Sequence, residues 1–273
     1  MLKKTLPMTN MQHGLAVAIK KLVYFGRGEP YRFSGQILRF VPGTRPIRLK
    51  YENSTVRQVR DDVMQIKLIE TELGEGDTAI DVGAHYGVFS ILMAARCGHT
   101  GKVISFEPDP IAREVLEKNI ELNAQLKPPV IENAALSDET GKGILFSRGG
   151  NSQSSLVRSA VEFSPAHRCE QIEVPLETLD HYLERHDIME PRWVKIDAEG
   201  AEIRILRGAP NLLASRAGIL CELHPYAWAE FNTQFSEFKD IVRKSGRRIR
   251  AFDGGTDLGE EAEYGTVILE RKS

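Results

Sequence analysis

Two neighbouring stretches of the chain decide its fold. Residues 79–91 read Ala-Ile-Asp-Val-Gly-Ala-His-Tyr-Gly-Val-Phe-Ser-Ile, and residues 102–110 read Lys-Val-Ile-Ser-Phe-Glu-Pro-Asp-Pro. The first predicts a strand, a tight turn at Gly83 and Gly87, and a helix, because glycine allows the backbone to turn sharply and a ligand to approach closely. The second predicts another strand that ends in Glu107. Such a unit is typical of nucleoside binding, in which the start of the helix faces the ligand and the carboxylate accepts hydrogen bonds from the ribose.

The spacing of the glycines separates two classes of adenosine ligand. A dinucleotide site reads Gly-x-Gly-x-x-Gly, whereas Gly83 and Gly87 stand four residues apart. Asp81, at the end of the first strand, would repel a diphosphate but suits the ammonium group or the ribose of a sulfonium nucleoside. The turn therefore favours S-adenosylmethionine over NAD. An NAD-dependent oxidoreductase is the alternative that the two glycines and Glu107 would allow by themselves.

The composition is that of a globular protein with one large domain and an appended segment. The chain has 273 residues and contains no run of about 18 uncharged apolar residues, so we expect no transmembrane segment. Residues 1–19 lack the pattern of a secretory signal. Cys97, Cys169 and Cys221 form no metal-binding pattern and are typical of reduced thiols, which predicts a cytoplasmic location.

Positive charge is concentrated at the beginning of the chain. Residues 1–50 contain ten Lys and Arg residues, and Glu29 is their only acidic residue. This asymmetry predicts contact with an anionic substrate, a membrane surface or a partner protein, and a solvated basic face is the alternative. Because the sequence contains no recognisable nucleic-acid-binding module, we expect no nucleic-acid partner. The sequence does not indicate an oligomeric state.

Helix and strand patterns alternate after residue 56. Strands are predicted at 78–82, 103–106, 130–134, 194–196 and 219–223, with a closing hairpin at 248–252 and 266–270. Helices are predicted at 56–73, 88–97, 111–122, 176–183, 201–206 and 235–245. The alternation predicts an α/β fold with a mostly parallel seven-stranded sheet, helices on both faces and a C-terminal antiparallel hairpin strand. Two further strands are expected at 31–41 and 47–51.

Two later strands also end in polar, titratable residues. Residues 193–200 read Trp-Val-Lys-Ile-Asp-Ala-Glu-Gly, and residues 220–225 read Leu-Cys-Glu-Leu-His-Pro. Because the carboxyl ends of parallel strands meet at one edge of a sheet, Asp197, Glu222 and His224 are expected beside the nucleoside crevice. These residues are the candidates for catalysis.

The candidates differ in how well each suits proton abstraction. We place Asp197 first for its position, then His224 for its ordinary pKa near 6.5, then Glu222. Glu199 is interpreted as a carboxylate at the start of a helix. Asp197, Glu199 and His224 could ligate a divalent metal, but nothing in the sequence requires one, and no metal site is assigned.

Taken together, these blocks resemble the FkbM-type family of S-adenosylmethionine-dependent methyltransferases. The resemblance runs from about Gly74 to Pro225 and includes the Val-Lys-Ile-Asp-Ala-Glu-Gly-Ala-Glu block at 194–202, although His85 stands where the family usually carries Asn. It implies a Rossmann-like class I fold. The concentration of positive charge further predicts a basic cap on the substrate side over residues 1–55, followed by a methyltransferase domain over 56–273. The resemblance also implies methyl transfer to a hydroxyl of a sugar, polyketide or related metabolite.

The resemblance further implies which residues contact the cofactor. They are Asp81, Gly83, Ala84, His85, Gly87, Glu107, Pro108, Asn133, Ala134, Ala135 and Asp197. The acceptor, a small molecule or glycan that we expect to be anionic, would lie between residues 1–55, a polar loop at 147–173 and the aromatic segment 226–236. Arg39, Arg45 and Arg48 are predicted to contact it. Because His85 replaces Asn, a non-catalytic nucleoside-binding scaffold is also considered.

Overall fold

The structure is a computed structural model that describes residues 20, 23–51, 53–147, 149, 154–156, 169–252 and 264–271. Its strands are β1 (Glu29–Phe33), β2 (Gln36–Phe40), β3 (Thr78–Val82), β4 (Lys102–Phe106), β5 (Val130–Glu132), β6 (Ala135–Leu136), β7 (Gly141–Ser147), β8 (Glu170–Glu177), β9 (Trp193–Ile196), β10 (Gly218–Leu223), β11 (Arg247–Ala251) and β12 (Gly265–Arg271). Its helices are α1 (Arg57–Glu72), α2 (Val88–Cys97), α3 (Pro110–Glu121), α4 (Leu179–Arg185), α5 (Glu202–Arg207), α6 (Pro210–Ala214), α7 (Pro225–Trp228) and α8 (Phe235–Lys244). Residues 1–19 and most of the predicted loop at 147–173 lie outside the described residues.

A seven-stranded sheet in the order β5-β4-β3-β9-β10-β12-β11 forms the centre of the protein. β12 is antiparallel to both of its neighbours, and the other pairs are parallel. The predicted fold class is therefore confirmed, including the antiparallel strand near the C-terminus. Val82 pairs with both Phe106 and Ile196, which brings the residues that follow β3, β4 and β9 to one edge of the sheet.

Apolar side chains cover both faces of this sheet, because successive residues of a strand point to opposite sides. On one face, Ile80 and Val194 pack with residues of α4, α5, α6 and α8. On the other face, Ala79 and Val103 pack with residues of α1, α2 and the β1–β2 hairpin. The hairpin therefore shares a core with the main sheet. The proposed division of the chain at residue 55 stays a prediction.

Two asparagines of α3 and its C-terminal end connect the hairpin to the edge of the sheet. The Asn123 Oδ1 atom accepts a hydrogen bond from the backbone N–H of Arg39 at 2.8 Å, and Asn119 Oδ1 accepts one from Val41 at 2.6 Å. Asn119 Nδ2 also donates to the carbonyl oxygen of Tyr86 at 2.8 Å. Because both asparagines are buried, these bonds fix the N-terminal segment against the glycine turn.

The structure corrects three of the predicted elements. Residues 31–41 do not form one strand, because the chain turns at Ser34 and Gly35, both with positive φ, and β1 pairs with β2. The predicted strand at 47–51 is instead a 3-10 turn at Leu49–Tyr51. The predicted helix at 176–183 begins later, because residues up to Glu177 belong to β8 and the Thr178 side chain caps α4.

β8 lies in a second, three-stranded sheet in the order β6-β8-β7, which the sequence analysis did not predict.

Cys97, Cys169 and Cys221 are all free thiols. Among the described residues, none of the helices combines the length and the apolar character needed to cross a bilayer.

Candidate cofactor and acceptor site

A cavity of about 770 Å³ opens at the carboxyl edge of the main sheet. Its walls come from the glycine turn, the ends of β4, β9 and β10, the β5–β6 connection, α1 and the segment before α1. Small-molecule sites usually measure about 300–1,000 Å³, so this volume is sufficient for a ligand.

The glycine turn after β3 lies in close contact with the end of β9 and with α3. Gly83 has a φ of +73°, and a Cβ atom at this position would lie 1.8 Å from the carbonyl oxygen of Asp197. Gly87 has a φ of +74°, and a Cβ atom there would lie 1.9 Å from Leu116. At Gly83 only glycine fits, because the overlap is with backbone, whereas at Gly87 the overlap is with the end of the Leu116 side chain and the positive φ is what favours glycine. His85 has a φ of +50°, a backbone region in which Asn and His are both enriched, so the His in place of the usual Asn keeps the turn.

Glu107 closes the cavity at the end of β4. One of its carboxylate oxygens accepts a hydrogen bond from the His85 backbone N–H at 2.7 Å, and the other accepts one from Asp109 at 2.8 Å. The residue is 6% exposed, and burial raises its pKa to about 7. The two backbone bonds fix the orientation of a carboxylate that retains accepting capacity toward the cavity.

Asp81 lies behind the cavity wall rather than in it. The residue is completely buried, and its Oδ2 atom accepts a hydrogen bond from Ser90 Oγ at 2.6 Å. Its Oδ1 atom has no hydrogen-bond partner among the described residues and lies 3.8 Å from Lys195 Nζ. Burial raises the pKa of Asp81. The Asp81 carboxylate therefore does not touch the cavity, and its charge acts on the cavity through Lys195, which lines the wall.

Lys195 connects this buried acid to Asp197. Its Nζ atom lies 3.0 Å from Asp197 Oδ2 and 5.0 Å from the ring centroid of Phe89. Burial by itself would lower the pKa of Lys195, but Asp197 and Asp81 raise it above its ordinary value. Burial likewise opposes ionisation of Asp197, yet Lys195 and His224 outweigh it, and the pKa of Asp197 is lowered.

The β5–β6 connection supplies an apolar wall beside Glu107. Pro108, Ala134 and Ala135, which are among the residues predicted to contact the cofactor, line the cavity. Asn133 is placed differently, because its Oδ1 atom accepts a hydrogen bond from Arg113 Nη1 at 2.6 Å and its side chain does not line the cavity.

Acidic residues surround a buried histidine at the other end of the cavity. His224 Nε2 lies 3.7 Å from Glu199 Oε2, 3.8 Å from Asp197 Oδ1 and 4.0 Å from Glu222 Oε1. The three carboxylates line the cavity, whereas His224 lies behind them. Burial raises the pKa of Glu199 and of Glu222 to about 7. Burial would lower the pKa of His224, but the hydrogen bond and charge of Glu202 raise it to about 10.

Glu202 fixes the orientation of His224 through a hydrogen bond. Its Oε1 atom accepts hydrogen bonds from His224 Nδ1 and the Gly200 backbone N–H, both at 2.8 Å, and Oε2 accepts one from Trp228 Nε1 at 2.8 Å. Glu202 is fully buried and Trp228 is 3% exposed. Trp228 therefore supports the cluster and does not line the cavity, contrary to its predicted place in the acceptor wall. Neither Tyr226 nor Phe231 lines it either.

Basic residues of the N-terminal segment line the mouth of the cavity. Lys20 Nζ lies 3.0 Å from Glu29, and Arg45 forms an ion pair with the same carboxylate. Arg48 lines the mouth as well. Arg39 does not line the cavity and donates to the carbonyl oxygen of Arg27, so only two of the three predicted arginines are at the mouth.

The described part of the polar loop reaches the same edge. Asp109 accepts hydrogen bonds from Ser147 Oγ at 2.6 Å and from Ser154 Oγ at 2.7 Å, and Ser155 Oγ donates to the Glu199 carbonyl oxygen at 2.6 Å. Both serines after the gap line the cavity. These bonds place residues 154–156 on the side expected for a substrate.

The structure thus brings most of the predicted site residues to one cavity. Those that line it are Gly83, Ala84, His85, Glu107, Pro108, Ala134, Ala135, Asp197 and Glu222. Those that do not are Asp81, Gly87, Asn133 and His224. Sequence reasoning missed Lys195, Asp62 and Tyr264, which line it as well. A charged residue within the apolar strand 193–196 was a signal for Lys195, whereas nothing in the local sequence distinguishes Asp62 or Tyr264.

Comparison with known proteins identifies relatives of this chain. Residues 81–249 match the family model of the methyltransferase FkbM domain. The hexuronic acid methyltransferase AglP of Haloferax volcanii is 26% identical over 62% of this chain and 65% of its own length. The methyltransferase sdnD of Sordaria araneosa is 28% identical over 47% of this chain and 59% of its own length. This chain thus spans less than two thirds of the length of either relative.

A solved structure of the methyltransferase FkbM from Methylobacillus flagellatus KT is 12% identical, with a TM-score of 0.45, over 77% of this chain and 52% of that chain. The family match covers more than half of the present chain and includes the glycine turn, Glu107 and the acidic cluster. It confirms the resemblance noted in the sequence and disfavours the oxidoreductase alternative. The chain belongs to the FkbM methyltransferase family.

Proposed function

We propose that the protein transfers a methyl group from S-adenosylmethionine to a hydroxyl oxygen of a sugar, polyketide or related metabolite. The main support is the continuity of one cavity from Glu107, at the predicted ribose end, to Asp197 and Glu222 at the other end. A cofactor and an acceptor can therefore meet in one cavity. The relatives AglP and sdnD are consistent with this class of reaction.

The residues of the cofactor end fit the proposed nucleoside. Glu107 presents a fixed carboxylate to the ribose hydroxyls, and the Gly83 turn leaves space for close approach of the ligand. Acidic groups near the turn suit a cationic sulfonium and ammonium. When bound, the cofactor would supply an already activated methyl group, so the protein has to orient the acceptor and exclude water.

An alcohol becomes a good nucleophile only as its proton is removed, so a base near the acceptor is useful. Asp197 and Glu222 both line the cavity, but Asp197 Oδ2 is paired with the Lys195 ammonium. Glu222 receives a neutral hydrogen bond from the Tyr264 hydroxyl. We therefore place Glu222 before Asp197 as the base, which reverses the order expected from the sequence.

The mouth of the cavity suits an anionic acceptor. Arg48 and Arg45 line it, and Glu29 offsets only part of the positive charge contributed by Lys20 and Arg45. A carboxylate or phosphate on the acceptor would pair with these cations. Replacing Arg48 with Ala should raise KM for an anionic acceptor several-fold and leave the affinity for S-adenosylhomocysteine unchanged. Equal KM values for both proteins would refute this assignment.

Calorimetry with S-adenosylmethionine and S-adenosylhomocysteine tests the cofactor proposal. We expect binding at one site per chain, whereas no binding at millimolar ligand would overturn the proposal. Methyl transfer is then measured over a panel of uronic acids, neutral sugars and polyketides. Glu222→Gln should reduce kcat by about 10²–10⁴-fold with unchanged cofactor affinity. Binding without transfer to any acceptor in the panel would instead support a non-catalytic scaffold.

A further inference from the structure

At the end of the cavity opposite Glu107, three side chains bring atoms that could ligate a metal ion close together. They belong to Asp197, Glu199 and His224, and one possible ligand atom of each lies within 4.8 Å of the other two. The histidine nitrogen is 3.8 Å from the aspartate oxygen and 3.7 Å from the glutamate oxygen. These distances are too long for hydrogen bonds, so no direct hydrogen bond joins the histidine nitrogen to either carboxylate.

The histidine distinguishes this group from an ordinary acidic patch. His224 is 2% exposed, and its Nε2 atom makes no hydrogen bond to any residue that the structure describes. Its Nδ1 atom is 2.8 Å from Glu202 Oε1. A carboxylate that holds one ring nitrogen, and so directs the other, is the usual outer support of a metal-bound histidine. The buried imidazole therefore points its second nitrogen at Asp197, Glu199 and Glu222, whose oxygens lie 3.8, 3.7 and 4.0 Å away, beyond hydrogen-bond distance.

The carboxylates have outer supports of their own. Lys195 Nζ holds Asp197 Oδ2 at 3.0 Å and leaves Oδ1 directed at the histidine. The Tyr226 hydroxyl donates to Glu199 Oε2 at 2.7 Å. Glu199 has a φ of +46°, an uncommon backbone conformation for a residue other than glycine, and such conformations cluster at functional sites. Each potential ligand is thus fixed by a second residue, as in metal sites with two layers of contacts.

We propose that Asp197, Glu199 and His224 bind a divalent metal ion at the acceptor end of the cavity. Two ligand atoms that meet one ion at right angles with bonds of about 2.1 Å lie about 3 Å apart, so small rotations of the carboxylates would complete the set. One imidazole nitrogen with two carboxylate oxygens suits a first-row ion such as Mn²⁺, Fe²⁺ or Zn²⁺ better than Ca²⁺.

The proposed ion would keep open positions on the side of the cavity. Asp197 and Glu199 line the cavity, whereas His224 lies behind them, so the protein ligands occupy one side of the ion. An acceptor hydroxyl oxygen could bind at an open position, next to Glu222, and the ion would lower the pKa of that hydroxyl. This last role rests on the proposed function, whereas ion binding itself does not.

Electron paramagnetic resonance of Mn²⁺ tests the proposal on the full chain without any substrate. Free Mn²⁺ gives a six-line signal that decreases on binding, so titration yields the number of sites and their affinity. We expect one site per chain. Glu199→Gln should weaken Mn²⁺ binding at least about 10-fold, and Tyr226→Phe, which removes an outer support, should weaken it by about 10-fold.

Glu173→Gln is the matched control, because Glu173 is an exposed carboxylate on β8, outside the cavity, and should leave Mn²⁺ affinity unchanged. An undiminished free signal at millimolar Mn²⁺, or equal affinities for the wild type and folded Glu199→Gln, would overturn the proposal. Calorimetry with S-adenosylhomocysteine in EDTA tests the proposed function separately from the metal site. If the cofactor binds but Mn²⁺ does not, only the proposed metal site is rejected. If Mn²⁺ binds but the cofactor does not, only the proposed methyl transfer is rejected.

Discussion

Replacing Gly83 with Ala tests whether the cavity depends on the close approach of two strand ends. The new Cβ atom would lie 1.8 Å from the carbonyl oxygen of Asp197, a contact that real structures do not tolerate. Gly83 also has a φ of +73°, a region that costs other L-residues about 1–2 kcal/mol. Relief of such an overlap within a packed region costs about 1–3 kcal/mol more. We therefore expect the variant to lose about 2–5 kcal/mol of unfolding free energy.

Gly35→Ala is the control for the conformational part of this cost. Gly35, in the β1–β2 turn, has a φ of +78°, but an added Cβ atom would meet nothing within 4 Å. Both substitutions reduce the freedom of the unfolded chain equally, so this effect cancels between them. We expect Gly35→Ala to cost only the conformational part, about 1–2 kcal/mol. The difference between the two variants then measures the overlap with Asp197.

Urea unfolding followed by circular dichroism gives both free energies, and calorimetry with S-adenosylhomocysteine gives the accompanying change in ligand affinity. The overlap should push the ends of β3 and β9 apart, so Gly83→Ala should bind the ligand at least tenfold more weakly, and Gly35→Ala should bind it normally. Equal losses of unfolding free energy in the two variants would refute the reasoning, because close packing at the turn would then contribute nothing.

Three further predictions concern Glu107 and Arg247. Glu107→Gln should weaken S-adenosylhomocysteine binding about 10–100-fold by calorimetry, because hydrogen bonds to a charged group contribute about 1.5–3 kcal/mol each. In the wild type, Kd should rise by up to about tenfold per unit as the pH falls below about 7, since protonation removes an acceptor from Glu107, and the Gln variant should lack this dependence. Arg247→Met should lower the unfolding free energy measured in urea, because its buried guanidinium donates to carbonyl oxygens that include those of Leu213 and Leu269, and each buried acceptor left without a donor costs about 1–3 kcal/mol. Arg243→Met, at an exposed position, should change the unfolding free energy little.

The central sheet could be predicted because its strands and helices have distinct hydrophobic periods. The strand at 193–196 and the helix at 88–97 were placed almost residue for residue, since each is bounded by turn residues or glycine. β8 was missed for the opposite reason. Its buried residues Val174 and Leu176 alternate as in a strand, but Leu176 also has helical spacing with Leu179 and Leu183. Only the Thr178 cap separates the two elements.

Site residues that directly follow a strand of the central sheet could be predicted from the sequence. Site residues contributed by other segments of the chain could not. Glu107 and Asp197 follow directly from the ends of β4 and β9. Asp62 on α1 and Tyr264 before β12 reach the cavity only through tertiary packing, which no local pattern records. Asp81 shows the limit of position alone, because its strand end is correct but its side chain is buried behind Lys195.

The charges at the sheet edge bear on both cationic ligands that we propose. One wall holds, or directly covers, four carboxylates, which are those of Asp81, Asp197, Glu199 and Glu222. Two basic residues, Lys195 and His224, lie among them. Burial opposes the ionisation of these carboxylates and raises the pKa of Glu199 and of Glu222, although the charge of His224 partly offsets this effect. A sulfonium nucleoside or a divalent ion would favour their ionisation, whereas the diphosphate of a dinucleotide would oppose it. The same electrostatic condition therefore links the choice of cofactor to the proposed metal site.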